Sequence, residues 1–510
     1  MIESTKSLKW NASANFIGLG YTTVIGIIVL PLYLRYLGAE AFGLVGFFIV
    51  LQAWMQLFDM GISPLLSRQT AQIRGKNLGY LELKRLLRSL ELIILILAVV
   101  ISLSIAAGST WITNNWLNVT SLDSVSVADC IVLMGAIIGV RFFASLYRSG
   151  IQGLERQVWL NIANIVLVTF KFVGALLLLH FVTRDIRSFF AYQLIIGVLE
   201  SAVLAAMFYR FIPTTGKVGV KFFWSTLKPV LPFASGIAYA AVIWVLVTQL
   251  DKLILSNVLS LAEYGYFALV AIVATGISQI ASPVSQAILP RMTFLLSRGN
   301  EQDMLLLYRQ STQLIAVIIL PLTGILALFS TELMFAWTGD RKAAEWAGPV
   351  LFWFALGNGI LAISAFQFYL QYAHGKLKMH VIYSTIAACI QIPTIIYVAY
   401  EYGALGVALA WFLLRLVSFI IWTPIVHNRY APGIHWPWLI KDIGPSFAMT
   451  SAILLVLTNI NFSTDDMNRW SIFAALFGIG LLIILCNILV SRAPRNLVYG
   501  TARKYLAGDS

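Results

Sequence analysis

The sequence predicts an all-α integral membrane protein of about fourteen transmembrane helices. Three observations carry this: an apolar composition, apolar runs of bilayer length, and basic residues gathered on one side of those runs. Of 510 residues, 59% are hydrophobic and 11% charged, against roughly 25% charged in ordinary soluble domains. Mean hydropathy is +0.85. A span takes about 20 mainly apolar residues. Segments meeting that need fall at 11–37, 42–67, 89–112, 126–149, 157–182, 188–211, 230–258, 263–290, 311–337, 348–373, 379–400, 404–427, 443–461 and 470–490. Backbone in hydrocarbon must satisfy its own hydrogen bonds, so each run reads as a helix. Pro283 and Pro290 in the eighth run and Pro321 in the ninth are the expected points of interruption.

Lysine and arginine test the count independently, because loops retained in the cytoplasm carry the basic excess. With the N-terminus inside, 25 of the 35 basic residues fall on the cytoplasmic side, 6 outside and 4 within spans. The contrast is sharpest between Arg68, Arg74, Lys76, Lys84, Arg85 and Arg88 at the first inner loop and the following outer loop, Ser109 to Val125, which has no basic residue. Both termini are therefore expected in the cytoplasm. Trp111, Trp116, Trp337, Trp346 and Trp470 map to outer span ends, and Trp10, Trp224, Trp436 and Trp438 to inner ones, where amphipathic rings settle. The formal charge of +13 reads as anchoring of inner loops to anionic membrane lipids, with no nucleic acid implied. The first apolar run is too long for a cleavable signal and reads as a retained span. Three scattered cysteines and five histidines without ligand spacing support neither a disulfide framework nor a metal site.

An internal repeat organises the chain. Leu37 to Gly75 begins LGAEAFGLVGFFIVL, continues with a proline-containing helix and ends in RG, and Leu259 to Gly299 begins LSLAEYGYFALVAIV and follows the same plan. The period is six spans, an even number, so the halves are parallel and related by an axis along the membrane normal. The expected division is a first lobe at 1–213, a cytoplasmic linker at 214–229, a second lobe at 230–428, two additional helices within 442–491 and a cytoplasmic tail at 492–510.

Four cations, Arg141, Lys171, Lys252 and Arg415, lie inside spans. A charge there is costly and marks a wet cavity, a carboxylate partner or an anionic ligand. Three carboxylates, Asp59, Glu200 and Asp251, share that environment. Lys171 and Glu200 fall at similar depth in consecutive spans and Asp59 is within the depth range of Arg141, so charge pairing and binding of a coupling proton or sodium ion are both open for these carboxylates. Asp251 and Lys252 are neighbours pointing about 100° apart on a helix, which sets them against pairing with each other.

The segment Phe58-Asp59-Met60-Gly61-Ile62-Ser63-Pro64 with Arg68 after it, and Leu250-Asp251-Lys252-Leu253 followed by Ala262-Glu263-Tyr264-Gly265-Tyr266, carry a family likeness. On them the chain resembles the polysaccharide-transport branch of the multidrug/oligosaccharidyl-lipid/polysaccharide flippase superfamily, as an O-antigen or exopolysaccharide repeat-unit flippase. The resemblance runs from Leu8 to about Tyr430. It implies two six-helix lobes in a V around a central cationic cavity, alternating access, residence in a bacterial inner membrane, and export of an undecaprenyl-pyrophosphate-linked oligosaccharide, with glycan assembly proteins as further partners. Many O-antigen flippases have twelve helices. The two extra ones here, 443–460 and 470–490, are shared with lipid II flippases and some polysaccharide exporters.

The chemistry of such a cargo agrees with the buried charges. A diphosphate cannot enter hydrocarbon uncompensated, a glycan needs a wet path, and a polyprenyl tail can stay in lipid. Arg141 and Lys171 are the leading candidates for phosphate, Arg through its planar fork and Lys as a point charge, with Lys252 and Arg415 as second-lobe counterparts. No cofactor is implied; the drive is a proton, a sodium ion or the membrane potential alone. A drug or metabolite exporter would instead need an acidic or aromatic cavity. A membrane glycan polymerase or ligase would carry acid/base residues on a large loop, whereas the longest outer loop offers only Asp123.

Overall fold

In a computed structural model the described residues are 2–59, 61–74, 79–212, 222–228, 231–459 and 467–496. Among them the regular structure is helical, with no strand beyond one isolated bridge. The expected linker at 214–229 and tail at 492–510 lie mostly outside the described residues, as does Met60. Among the described residues thirteen helices are long and apolar enough to cross a bilayer, and one of them, of 53 residues, consists of two arms meeting at Gly403, in keeping with the expected count of about fourteen. The chain divides into two compact units, Met1–Gly265 and Tyr266–Ser510.

In the first unit, α1 (Ile2–Leu37) is followed by α2 (Ala39–Trp54), which tightens into a 3-10 turn at Met55–Leu57. The second span, expected unbroken over 42–67, stops there. Gly61 takes a left-handed φ of 76°, which only glycine adopts without strain. The Asp59 carboxylate then accepts the Ser63 amide at 3.2 Å and its hydroxyl at 2.6 Å, opening α3 (Ile62–Arg74). Next come α4 (Tyr80–Trp111), α5 (Ser124–Gly153), α6 (Gln157–Thr169), α7 (Ala175–Phe181), α8 (Ile186–Phe211), the single turn α9 (Trp224–Leu227) and α10 (Leu231–Val258). Asp123 caps α5, and the Ser126 amide and hydroxyl hold its carboxyl below the usual aspartate range.

Helix α5 packs against α3, α4 and α8. Its contact with α4 is close because of Gly135 and Gly139, a small-residue pair four apart that lets membrane helices approach. Ala98 and Ser102 fill the opposing positions, and the Ser102 hydroxyl donates to the Gly135 carbonyl at 2.9 Å. On α4, Leu83, Leu86, Leu87, Leu90 and Ile94 are buried at helical spacing, completing this face.

The unit closes with a reciprocal glycine contact between α2 and the start of α11 (Leu261–Ser297). A Cβ on Gly43 would strike the carbonyl oxygen of Leu261, and one on Gly265 would strike that of Ala39. Each glycine sits four residues after the carbonyl that meets the other, so the corresponding parts of the sequence repeat cross symmetrically. Beside them Leu261 donates its amide to the Asn118 carbonyl at 3.0 Å, and the Asn118 side chain donates to the Asn257 carbonyl at 2.7 Å. Gly43→Ala and Gly265→Ala are each expected to cost about 1–3 kcal/mol through overpacking. Gly26→Ala, where a Cβ meets nothing within 4 Å, is the control. Thermal unfolding in detergent measures all three, and equal melting temperatures would remove this contact from the account.

In the second unit α11 runs on to Ser297 through Pro283 and Pro290 without interruption. Likewise α12 (Glu301–Leu328) contains Pro321 and breaks instead at Phe329, before α13 (Ser330–Thr338). The expected proline breaks are thus absent, as membrane helices can re-satisfy the carbonyls that proline frees. Then follow α14 (Arg341–Ala373), α15 (Lys378–Tyr430), α16 (His435–Pro437), α17 (Gly444–Asn459) and α18 (Arg469–Val490). The two additional helices pack onto α12 and α13 through Leu454, Ile472, Leu476 and Ile483 against Ile325, Phe329 and Ala336.

Candidate functional site

A cavity of about 290 Å³ lies within the first unit. Helix α5 supplies Arg141, Ala144, Ser145 and Arg148, positions that recur every three or four residues and so share one face. Helix α6 contributes Asn164, Leu167 and Val168; α2 contributes Gln52; α8 contributes Glu200; and Lys171 enters from the segment between α6 and α7. Three cations therefore face one carboxylate. The volume approaches the lower end of the roughly 300–1,000 Å³ typical of ligand pockets.

The carboxylate is already taken. Glu200 accepts from Arg148 at 2.5 Å, and the same guanidinium donates to Asn164 Oδ1 at 3.2 Å. The sequence-based pairing of Glu200 with Lys171 is thus replaced by one with Arg148, whose longer, forked side chain reaches across from α5. Arg141 donates to Gln193 Oε1 at 3.1 Å and its guanidinium lies 5.5 Å from the Phe48 ring centroid. Its Nε and Nη1 are buried with no hydrogen-bond partner among the described residues. Lys171 Nζ stands 5.6 Å from the Phe172 ring centroid. Neither Arg141 nor Lys171 forms an ion pair among the described residues.

Lys171 owes its place to a π-helical turn, Phe170–Gly174. Such turns widen the helix and leave carbonyls without regular partners, and they recur at functional sites. Here side chains also donate to its carbonyls: Tyr192 to that of Phe170 at 2.8 Å and Tyr33 to that of Phe172 at 2.8 Å, which accepts the Ala175 amide as well. Gly174 leaves room for the Tyr192 hydroxyl, which a Cβ would strike.

The other expected site residues do not line this cavity. Asp59 is held by Ser63 rather than by Arg141. Lys252 and Asp251, expected to diverge, pair at 3.3 Å, with Lys252 also donating to the Thr248 carbonyl at 2.7 Å. The divergence holds for their Cβ vectors, but the four-carbon lysine stem folds back along the helix and overcomes it. Asp251 is only 2% exposed, so its neighbour's ammonium neutralises a buried charge. Arg415 belongs to the second unit, where it donates to Gln391 at 3.3 Å and its guanidinium lies 4.2 Å from the Trp411 ring centroid. Sequence reasoning missed Arg148 and Gln193. Arg148 was visible in principle, since seven residues from Arg141 is two helical turns, but its position at a span end reads as a lipid anchor.

The model of a family described as polysaccharide biosynthesis protein matches residues 8–295. A Shigella flexneri protein named for O-antigen transport is 21% identical over 411 residues, covering 79% of this chain and 94% of its own. Among solved structures, the lipid II flippase MurJ in an inward closed conformation superposes with a TM-score of 0.71 at 16% identity, covering 95% of this chain and 98% of that one. An inward-facing multidrug resistance MATE family transporter of the MOP superfamily gives 0.65 at 12% identity, covering 81% and 96%. These two likenesses establish a shared fold.

Proposed function

We propose, from the premise that the chain belongs to the polysaccharide biosynthesis protein family, that it is a flippase-type transporter of a bacterial inner membrane. Its cargo is an undecaprenyl-pyrophosphate-linked oligosaccharide, an O-antigen or exopolysaccharide repeat unit, carried from the inner to the outer leaflet by alternating access. One observation carries the reading: Arg148 is neutralised by Glu200, and Arg141 and Lys171 remain in the same cavity with no carboxylate of their own. The surplus of two positive charges equals the two negative charges of a diphosphate diester. The Nε and Nη1 of Arg141, without a hydrogen-bond partner among the described residues, leave charged donors for phosphate oxygens. The relative named for O-antigen transport points to the same cargo class.

The sign of the cavity weighs against a cationic drug as cargo, whatever the shared fold. A lipid II-type substrate is the second reading, favoured by the additional pair α17 and α18; it presents the same diphosphate to the same cations. We assign the drive to the membrane potential, since Glu200 and Asp251 are committed to basic partners. No step in this reading is enzymatic. Arg141→Gln and Lys171→Gln, made singly, are expected to lower surface glycan about tenfold or more, the loss of a charge-assisted contact, at unchanged protein abundance. Glycan and abundance falling in parallel would assign both residues to folding instead.

A further inference from the structure

Gln193 joins the guanidinium of Arg141 to the backbone of Lys171, the two residues on which the proposed function rests. Its carboxamide oxygen accepts from Arg141 Nη2 at 3.1 Å, and its amide nitrogen donates to the carbonyl of Lys171 at 3.0 Å. The two ends are not interchangeable: a guanidinium can only donate and a carbonyl can only accept, so the amide has one workable orientation. The side chain is 3% exposed and projects from α8 between α5 and the π-helical turn. Arg141 has no other hydrogen bond among the described residues. The Lys171 carbonyl is also approached by the Tyr33 hydroxyl, at 3.4 Å.

We propose that Gln193 is a positioning residue that fixes the spacing between the Arg141 guanidinium and the Lys171 ammonium, and thereby selects a ligand with two linked phosphates over one with a single phosphate. The π-helical turn makes this possible. In a regular α-helix the Lys171 carbonyl would be consumed by the backbone four residues on, whereas here it is available to a side chain. Gln193 holds that carbonyl, and through it the direction in which the lysine leaves the helix. With its other end it holds the guanidinium in register. Two cations set at a fixed separation can each engage one phosphate of a diphosphate. A monophosphate has one phosphate to divide between them.

The inference rests on the cavity being a phosphate site, and the test separates the two. Purified full-length protein is titrated with inorganic pyrophosphate and with orthophosphate, and the ratio of their affinities is the readout. Gln193→Met keeps the side-chain volume and removes both hydrogen bonds; the ratio is expected to fall about tenfold, the worth of one charge-assisted hydrogen bond. Gln193→Glu keeps an oxygen for Arg141 but cannot donate to the Lys171 carbonyl and neutralises the guanidinium; it is expected to lose pyrophosphate binding to the level of Arg141→Gln. General loosening of the fold lowers both affinities together and leaves the ratio alone. An unchanged ratio in Gln193→Met, or in Gln193→Glu should the first variant not fold, overturns the positioning role while leaving the phosphate site standing. Equal pyrophosphate binding by the wild type, Arg141→Gln and Lys171→Gln overturns the site itself.

Discussion

Collapsing an inside-negative potential of 100 mV across sealed vesicles is expected to lower the steady-state outer-to-inner ratio of a labelled lipid-linked oligosaccharide by about three powers of ten. Each elementary charge moved through that potential is worth about 2.3 kcal/mol, so two give about 4.6, and 1.4 kcal/mol is a factor of ten. The surplus charge of the cavity does not cancel the effect. If the loaded carrier is neutral, its forward stroke is insensitive to voltage, and the field acts when the empty, cationic site returns inward. The sum over a cycle is the same: two negative charges have moved out. A ratio that ignores the potential would mean that two cations travel with the cargo, and would return the coupling role to Glu200, Asp59 or Asp251.

The part of this architecture legible from the sequence is the part set by solvent. Hydrocarbon demands long apolar helices, so the apolar spans could be counted, including the two that meet at Gly403. Local chemistry was less legible because it depends on which faces meet. Proline suggested breaks at Pro283, Pro290 and Pro321, yet the helices pass through all three and interrupt at Phe329 and around Gly61 instead. The depth of a charge was readable and its partner was not. Glu200 chose Arg148 over Lys171, and Lys252 folded back on Asp251, because side-chain length and rotamer decide among candidates at similar height. The π-helical turn carrying Lys171 left no mark in the residue pattern. It shows in the set of side chains, Tyr33, Tyr192 and Gln193, that donate to its carbonyls, and these come from elsewhere in the chain.

In the second unit the largest expected loss of stability belongs to Arg309, and the comparison with its partner Asp442 shows why. The carboxylate of Asp442 accepts from Arg309 Nε at 2.6 Å, from Arg309 Nη2 at 3.0 Å and from Gln313 Nε2 at 2.7 Å. Gln313 in turn accepts the Ala493 amide at 2.8 Å, so the group ties α12 to the π-helical turn Trp438–Ile443 and to the segment after α18. Exposure is unequal: the Asp442 side chain is 1% exposed and that of Arg309 33%. Arg309→Met therefore strands a buried carboxylate with one neutral donor, at a cost of about 3–5 kcal/mol. Asp442→Leu strands a guanidinium that can turn toward water, and solvent screening reduces its cost to about 1–2 kcal/mol. The double variant is expected to be more stable than Arg309→Met alone, since it removes the stranded charge. Thermal unfolding of the four proteins in one detergent supplies the cycle. If Asp442→Leu is the more damaging single change, shape rather than charge holds this junction.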